Sequence, residues 1–222
     1  MAAQRDRYQA EGAEAEYEPG SRRRVLRNLQ GLRSVRAIAR AESEALLDAT
    51  NRVIDETGVD QRFTAGDIRS MHRLWLGHIY AWAGEYRQLN MMKDGFMFAA
   101  ANQISRQMQI LERGPLREFT PCRRADAEAQ ALALGSVHAE LIIIHPFREG
   151  NGRYARLLAM LMGLQAGLPA LDFGGIQGEA KRHYIAAIHA AMSRDYEPIA
   201  TVFRAVIART LRKQASVSPE SS

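Results

Sequence analysis

Most of the chemistry this sequence can do lies in twelve consecutive residues, His145-Pro146-Phe147-Arg148-Glu149-Gly150-Asn151-Gly152-Arg153-Tyr154-Ala155-Arg156. His145 is the natural base, since an imidazole titrates near neutral pH and can take a proton from an incoming hydroxyl. Gly150 and Gly152, either side of Asn151, let the backbone turn sharply so that successive N–H groups converge on an anion. A helix beginning just beyond adds unpaired N–H groups and the positive end of its dipole. Arg153 and Arg156 are three residues apart, share one helical face, and can both reach a polyphosphate. Glu149 beside such a nest repels phosphate unless a divalent cation stands between them, and Mg²⁺ commonly binds one carboxylate plus phosphate oxygens. Each residue also has a plainer reading. A His before Pro is often structural, Asn-Gly is often only a turn, and Glu149 with Arg153 can be a weak surface pair. Their conjunction between two apolar segments points instead to a phosphate-binding turn with a base at its entrance. Phe147 is expected to face the core and pin that turn.

The elements that must position this turn are mainly helical. Residues 1–20, poor in apolar side chains, read as a flexible lead-in ending at Pro19-Gly20. Ser21 is placed to cap a short helix carrying Val25, Leu26 and Leu29, closed by Gly31. Ser34 caps a longer one with Val35, Ile38, Leu46, Val53 and Ile54 inward and Gly58 as its stop. Thr64 and Asp67 form a capping-box pattern ahead of a helix with Ile68, Met71, Leu74, Trp75 and Ile79 buried. At Gly84 the pattern changes: Lys93-Asp94-Gly95 between Met91-Met92 and Phe96-Met97-Phe98 is a hairpin signal, with an edge free to pair with another chain. Helices follow over Ala101–Arg113 (ended by Gly114-Pro115), Ala125–Ile144, Tyr154–Leu168, Glu179–Ser193 and Glu197–Lys213. Pro146 forces the fourth from last of these patterns to stop before His145. The expected fold is all-α with one small β-hairpin.

Composition narrows the function. The chain has 222 residues, 46% of them hydrophobic, which suits one domain over 21–213 followed by a disordered tail at 214–222. Cys122 is the lone cysteine, excluding an internal disulfide and a thiolate metal cluster and favouring a reducing, cytoplasmic setting. The apolar run Leu157–Leu171 is broken by Gly163, Gln165, Gly167 and Pro169, and no secretory signal is visible, so no membrane partner is expected. The net charge of +5 and pI near 9.6 raise nucleic acid as a partner. The arginines concerned (Arg22, Arg23, Arg24, Arg27, Arg33, Arg36 and Arg40) suit exposed helix faces, and no helix-turn-helix, zinc or RNA-platform motif accompanies them.

The twelve-residue stretch resembles the motif of the Fic family, His-x-Phe-x-Asp/Glu-Gly-Asn-Gly-Arg-x-x-Arg, with every defining position filled. Asn90 to Ala99 is similar to that family's hairpin "flap", Trp82-Ala-Gly-Glu-Tyr-Arg87 to the segment before it, and Tyr184 to Pro198 to the helices after the motif. The resemblance implies a Fic-type helical bundle and protein adenylylation. His145 would deprotonate a Tyr, Ser or Thr hydroxyl of a target protein, which then attacks the α-phosphorus of ATP. Glu149 would hold Mg²⁺. Gly150, Asn151 and Gly152 would cradle the phosphates, and Arg153 and Arg156 the β- and γ-phosphates. Met91, Met92, Lys93 and Phe96 would dock the target, with Lys93 beside the nucleotide.

Two departures bear on this reading. Family members that use ATP as a phosphate donor have lysine at the position of Gly152, so glycine here favours AMP transfer. Relatives with an Ala-Asn-x-Gly-Asp stretch near the nucleoside differ from Ala191-Met192-Ser-Arg-Asp195. The family's inhibitory pattern, Ser/Thr-x-x-x-Glu-Gly/Asn, does not occur, and Ser216–Glu220 is followed by Ser221. The expected regulator is therefore a separate small antitoxin whose carboxylate pairs with Arg156. A bacterial toxin or delivered effector fits this picture, with transfer of another nucleotide or a phosphoryl group, or idle nucleotide binding, as the alternatives.

Overall fold

The computed structural model describes Glu14, residues 16–123 and residues 126–217. Most of the expected lead-in, and the tail from residue 218, lie outside these. The chain packs as two compact units, one comprising Met1–Glu56, Thr64–Gln109 and Ile144–Asn151, the other Thr57–Phe63, Ile110–Ile143 and Gly152–Ser222.

The first unit is built on helices α1 (Val35–Glu56) and α2 (Ala65–Leu76). The Ser34 hydroxyl accepts from the Ala37 N–H at 3.3 Å, and Thr64 with Asp67 makes the complete capping box that the spacing predicts. Trp75 and Ile68 are fully buried on α2, each worth about 1.5–3 kcal/mol of transfer free energy. The stripe on α1 differs from expectation. Ile38, Glu42, Ala45, Ala49 and Val53 are buried, whereas Val35 is half exposed at 50%. Glu42 tolerates burial because its carboxylate accepts from Tyr80 Oη at 2.6 Å, while its carbonyl accepts from Trp75 Nε1 at 2.8 Å. The short helix expected from Ser21 is not formed. Pro19-Gly20 turns the chain back, an isolated antiparallel bridge joins Tyr17 to Leu26, and Glu18 Oε1 accepts from the Asn28 N–H at 2.8 Å. Too few residues separate Ser21 from the Asn28–Gly31 turn for a helix to outcompete that bridge.

Strands β1 (Met92–Lys93) and β2 (Phe96–Met97) form the antiparallel hairpin, with Met92 opposite Met97 and Lys93 opposite Phe96. Asp94 (φ +49°) and Gly95 (φ +83°) both take the left-handed backbone that a two-residue hairpin turn requires.

In the second unit, α5 (Ala127–Ile143 of a helix that ends at Ile144), α6 (from Gly152 of a helix spanning Asn151–Gln165), α7 (Gly178–Ala191) and α8 (Glu197–Val217) carry the core. A Cβ on Gly135 of α5 would stand 3.2 Å from the Ile199 backbone, so glycine there permits close approach of α8. The α5 helix is 18 residues long with mean hydropathy 1.3, enough by length and composition to cross a membrane, and 61% of it is buried within the protein as a core helix would be. Gly114-Pro115 does not end the helix ahead of it. Helix α3 (Ile104–Leu111) passes through a π-turn at Glu112–Leu116 into the short α4 (Arg117–Phe119). The wider turn gives the Pro115 ring room that a regular helix denies it.

Candidate active site

The motif begins where α5 must stop. Pro146 follows His145, and His145 itself adopts φ +51°. Its ring is 6% exposed by residue and lies stacked on Phe98 at 3.7 Å between centroids, with planes 15° apart. Phe98 in turn meets Phe96 edge-on at 5.2 Å. The first unit therefore joins the base to the hairpin through a chain of rings. Phe98 was not among the residues expected at the site, although its alternation with Phe96 is the signal that puts both on one side of the hairpin.

Phe147 is fully buried, as expected, and stacks on His72 at 3.7 Å. His72 Nδ1 accepts from the Gly84 N–H at 2.9 Å, so its Nε2 carries the proton and donates to the Glu149 carbonyl at 3.1 Å. One neutral tautomer thus ties the motif turn to the segment leading into the hairpin. Asn151 closes the same turn. Its amide oxygen accepts from the Phe147 N–H at 2.9 Å, and its amide nitrogen donates to the Phe147 carbonyl at 2.7 Å. Both ends of that side chain hold the Phe147 backbone, so Asn151 fixes the shape of the turn. Arg148, 2% exposed, donates through Nε to the Glu14 carbonyl at 3.1 Å.

Of the two glycines, only Gly150 takes the left-handed backbone, at φ +82°, and a Cβ there would stand 2.6 Å from Trp75 Cζ3. The helix starts at Asn151, three residues before the expected Tyr154, so Gly152 and Arg153 sit in its first turn. A Cβ on Gly152 would meet nothing within 4 Å. Glu149 is half-buried, with Oε1 accepting from the Gly150 N–H at 2.9 Å. A single carboxylate fits Mg²⁺ only where phosphate oxygens and water complete the shell, and the described residues contain no cluster of three or more His, Cys, Asp or Glu that would hold a metal alone.

On the hairpin, Met92, Lys93 and Phe96 are half-exposed at its turn end. Met91 is not. It is 1% exposed and its carbonyl accepts from the Phe98 N–H at 3.1 Å, so it anchors the base of the hairpin rather than presenting a docking surface.

In the second unit, Arg153 is half-exposed and Arg156 exposed, on one face of α6. Near Arg156 lies His138 of α5, with Nε2 2.9 Å from the Tyr184 hydroxyl of α7. Burial, reinforced by the charge of Arg156, pulls the His138 imidazole down to about 4, so it stays neutral; burial likewise pushes the Tyr184 phenol up to about 12. Neither residue stood out in the sequence.

A model of the Fic/DOC family matches residues 62–162. The protein adenylyltransferase VbhT of Bartonella schoenbuchensis is 30% identical over 143 residues, 64% of this chain and 30% of VbhT. A probable protein adenylyltransferase of Sinorhizobium fredii, y4lH, is 28% identical over 166 residues, 72% of this chain and 84% of y4lH. The chain thus spans under a third of VbhT and most of y4lH. Among solved structures, the BepC effector of Bartonella tribocorum with bound AMPPNP has TM-score 0.68 at 21% identity, covering 86% of this chain and 94% of that one. That likeness identifies the fold, mostly helical with a two-stranded antiparallel hairpin.

Proposed function

Because the chain belongs to the Fic/DOC family, we propose that it is a protein adenylyltransferase, moving AMP from ATP to a Tyr, Ser or Thr hydroxyl of a target protein with release of pyrophosphate. The observation that carries this reading is Gly152 in the first turn of the helix that begins at Asn151, where a Cβ would meet nothing within 4 Å. A glycine there lets a phosphate approach the backbone closely, and no lysine stands in its place to steer the γ-phosphate instead.

The roles follow from the chain's own groups. His145, its backbone turned by φ +51° and its ring held against Phe98, takes the proton from the target hydroxyl as the oxygen attacks the α-phosphorus. Backbone N–H groups at Gly150, Asn151 and Gly152 hold the phosphates, that of Gly150 by exchanging the Glu149 carboxylate for a phosphate oxygen, with Arg153 and Arg156 on the β- and γ-phosphates so that pyrophosphate leaves in line. Glu149 is the residue that would hold Mg²⁺, whose charge would offset that of the phosphates. Met92, Lys93 and Phe96 receive the target by strand pairing, with Lys93 toward the nucleotide. VbhT and y4lH are named as protein adenylyltransferases, and BepC was solved with AMPPNP, which supports a nucleotide at this turn. We assign regulation to a separate small protein that offers a carboxylate to Arg156.

The test is incubation with Mg²⁺, α-labelled ATP and a cell lysate, beside a His145→Ala variant. Label on protein bands, lost in the variant, is expected. Transfer seen only from γ-labelled ATP would replace this reading with phosphorylation, and AMPPNP binding without transfer would replace it with an idle binding module.

A further inference from the structure

Arg87 lies outside the motif, yet all three nitrogens of its guanidinium donate to carbonyls at the motif entrance or beside the hairpin. The side chain is fully buried, at 0% exposure. Its Nε donates to the His145 carbonyl at 2.7 Å, its Nη2 to the carbonyls of Ala99 at 2.6 Å and Ile144 at 3.3 Å, and its Nη1 to that of Leu89. Its own backbone N–H donates to the Pro146 carbonyl at 2.9 Å. Leu89 and Ala99 bracket the hairpin, while Ile144, His145 and Pro146 are the successive residues that lead out of a helix end into the motif.

A helix end exposes carbonyls with no intrahelical donor, and a cation there is favoured by the helix dipole. That explains why a guanidinium can be buried at this point, but not why it reaches both sides of the hairpin as well. Burial draws the Arg87 pKa down to about 10, with nearby Glu14 opposing the shift, so the side chain remains charged at neutral pH and each of its donors must be met. Only the planar fork of arginine can satisfy carbonyls arriving from three directions at once.

We propose that Arg87 is a positioning residue that makes the target-docking hairpin and the catalytic base one rigid piece, holding the His145 backbone from beneath while Phe98 of the hairpin side holds its ring. The inference rests on the reading of His145 as base and of the hairpin as the docking element. In consequence, the placement of the target hydroxyl and the orientation of the base are set together, while the phosphates are held by the motif turn and its arginines.

The test uses the full chain with Arg87→Lys and Arg87→Gln, compared with wild type by hydrogen exchange, by titration with AMPPNP, and by the initial rate of α-label transfer into lysate proteins. Lysine keeps a cation at the helix end, and so protects the fold, but brings one nitrogen where arginine brings three. Exchange in Arg87→Lys should quicken about tenfold or more at residues 90–99 and 145–147 while the remaining amides and the AMPPNP affinity stay within about twofold of wild type. Transfer should fall by about tenfold or more, with Arg87→Gln lower again. Exchange that quickens evenly over the whole unit overturns the proposal in favour of a general fold role, as does hairpin exchange that does not change. If wild type transfers no label, the adenylyltransferase reading fails by itself, and the exchange pattern still decides whether Arg87 joins hairpin and base.

Discussion

Gly150 and Gly152 occupy neighbouring positions in the motif but serve opposite needs. Gly150 is left-handed and packed against Trp75, whereas Gly152 is helical and faces open space. Gly150→Ala should therefore lose about 2–4 kcal/mol, combining a strained φ with overpacking, read as a lower denaturation midpoint. Gly152→Ala should keep its stability or gain about 0.5–1 kcal/mol, because alanine orders more cheaply in a helix. Its affinity for AMPPNP should nevertheless fall about tenfold or more, or about 1.4 kcal/mol. Wild-type affinity in Gly152→Ala would remove the phosphate from this turn. His138 allows a prediction in pH. Its pKa is depressed from 6.5 to about 4 in the fold, so between those values the unfolded chain binds the extra proton. Stability should be full above about pH 6.5 and decline towards pH 4, by about 3 kcal/mol in all. In His138→Gln, which can still meet the Tyr184 hydroxyl, that part of the slope should vanish from denaturant midpoints measured across the range. At this scale legibility followed side-chain type. His145, Glu149 and Arg153 announce themselves because their chemistry is unusual in sequence proximity. Arg87 does not, since its partners are backbone carbonyls two to fifty-eight residues away, which every residue carries whatever its side chain.

Among elements, the hairpin is the most exposed to a single change. Its register depends on left-handed Asp94 and Gly95, and a Cβ on Gly95 would meet nothing within 4 Å. Gly95→Ala should thus cost only the backbone penalty of about 1–2 kcal/mol, spent locally. Hydrogen exchange at Met97 and Phe98 should quicken and label transfer into lysate proteins should drop, while AMPPNP titration stays unchanged. A parallel loss of nucleotide affinity would mean that the hairpin shapes the nucleotide site itself. The hairpin, the capping box at Thr64 and the core helices were legible because each leaves a local signature: Asp-Gly, a Thr-x-x-Asp spacing, a period in apolar residues. The absent helix after Ser21 was misread because a bridge between Tyr17 and Leu26 has no such signature. The passage through Gly114-Pro115 was misread because proline usually marks an end, and the π-turn that accommodates it depends on its surroundings. Glu42 was left off the buried stripe of α1 because its partners, Tyr80 and Trp75, come from elsewhere in the chain.

For the molecule as a whole, charge and regulation are the readable properties. Arg22, Arg23, Arg24, Arg27, Arg33, Arg36 and Arg40 are all exposed, with Arg27 paired to Glu16 and Arg40 to Glu44. Arg156 is exposed too, and no Ser/Thr-x-x-x-Glu-Gly/Asn pattern occurs in the 222 residues. The purified chain should accordingly label lysate proteins without an activating treatment or a lag. A chain that stays silent until one of its own glutamates is replaced by glutamine, and then labels, would place the inhibiting carboxylate within this same sequence.

The contact between the Glu14 carbonyl and Arg148, made across 134 residues, has a practical side. It places the start of the described chain against the middle of the motif, where a bulky fusion or a protease cut just upstream of Tyr17 would be felt by the catalytic loop. Residues 211–216, at the far end of α8, are all exposed. Affinity handles, surface tethers and fluorescent reporters for this protein belong on that helix.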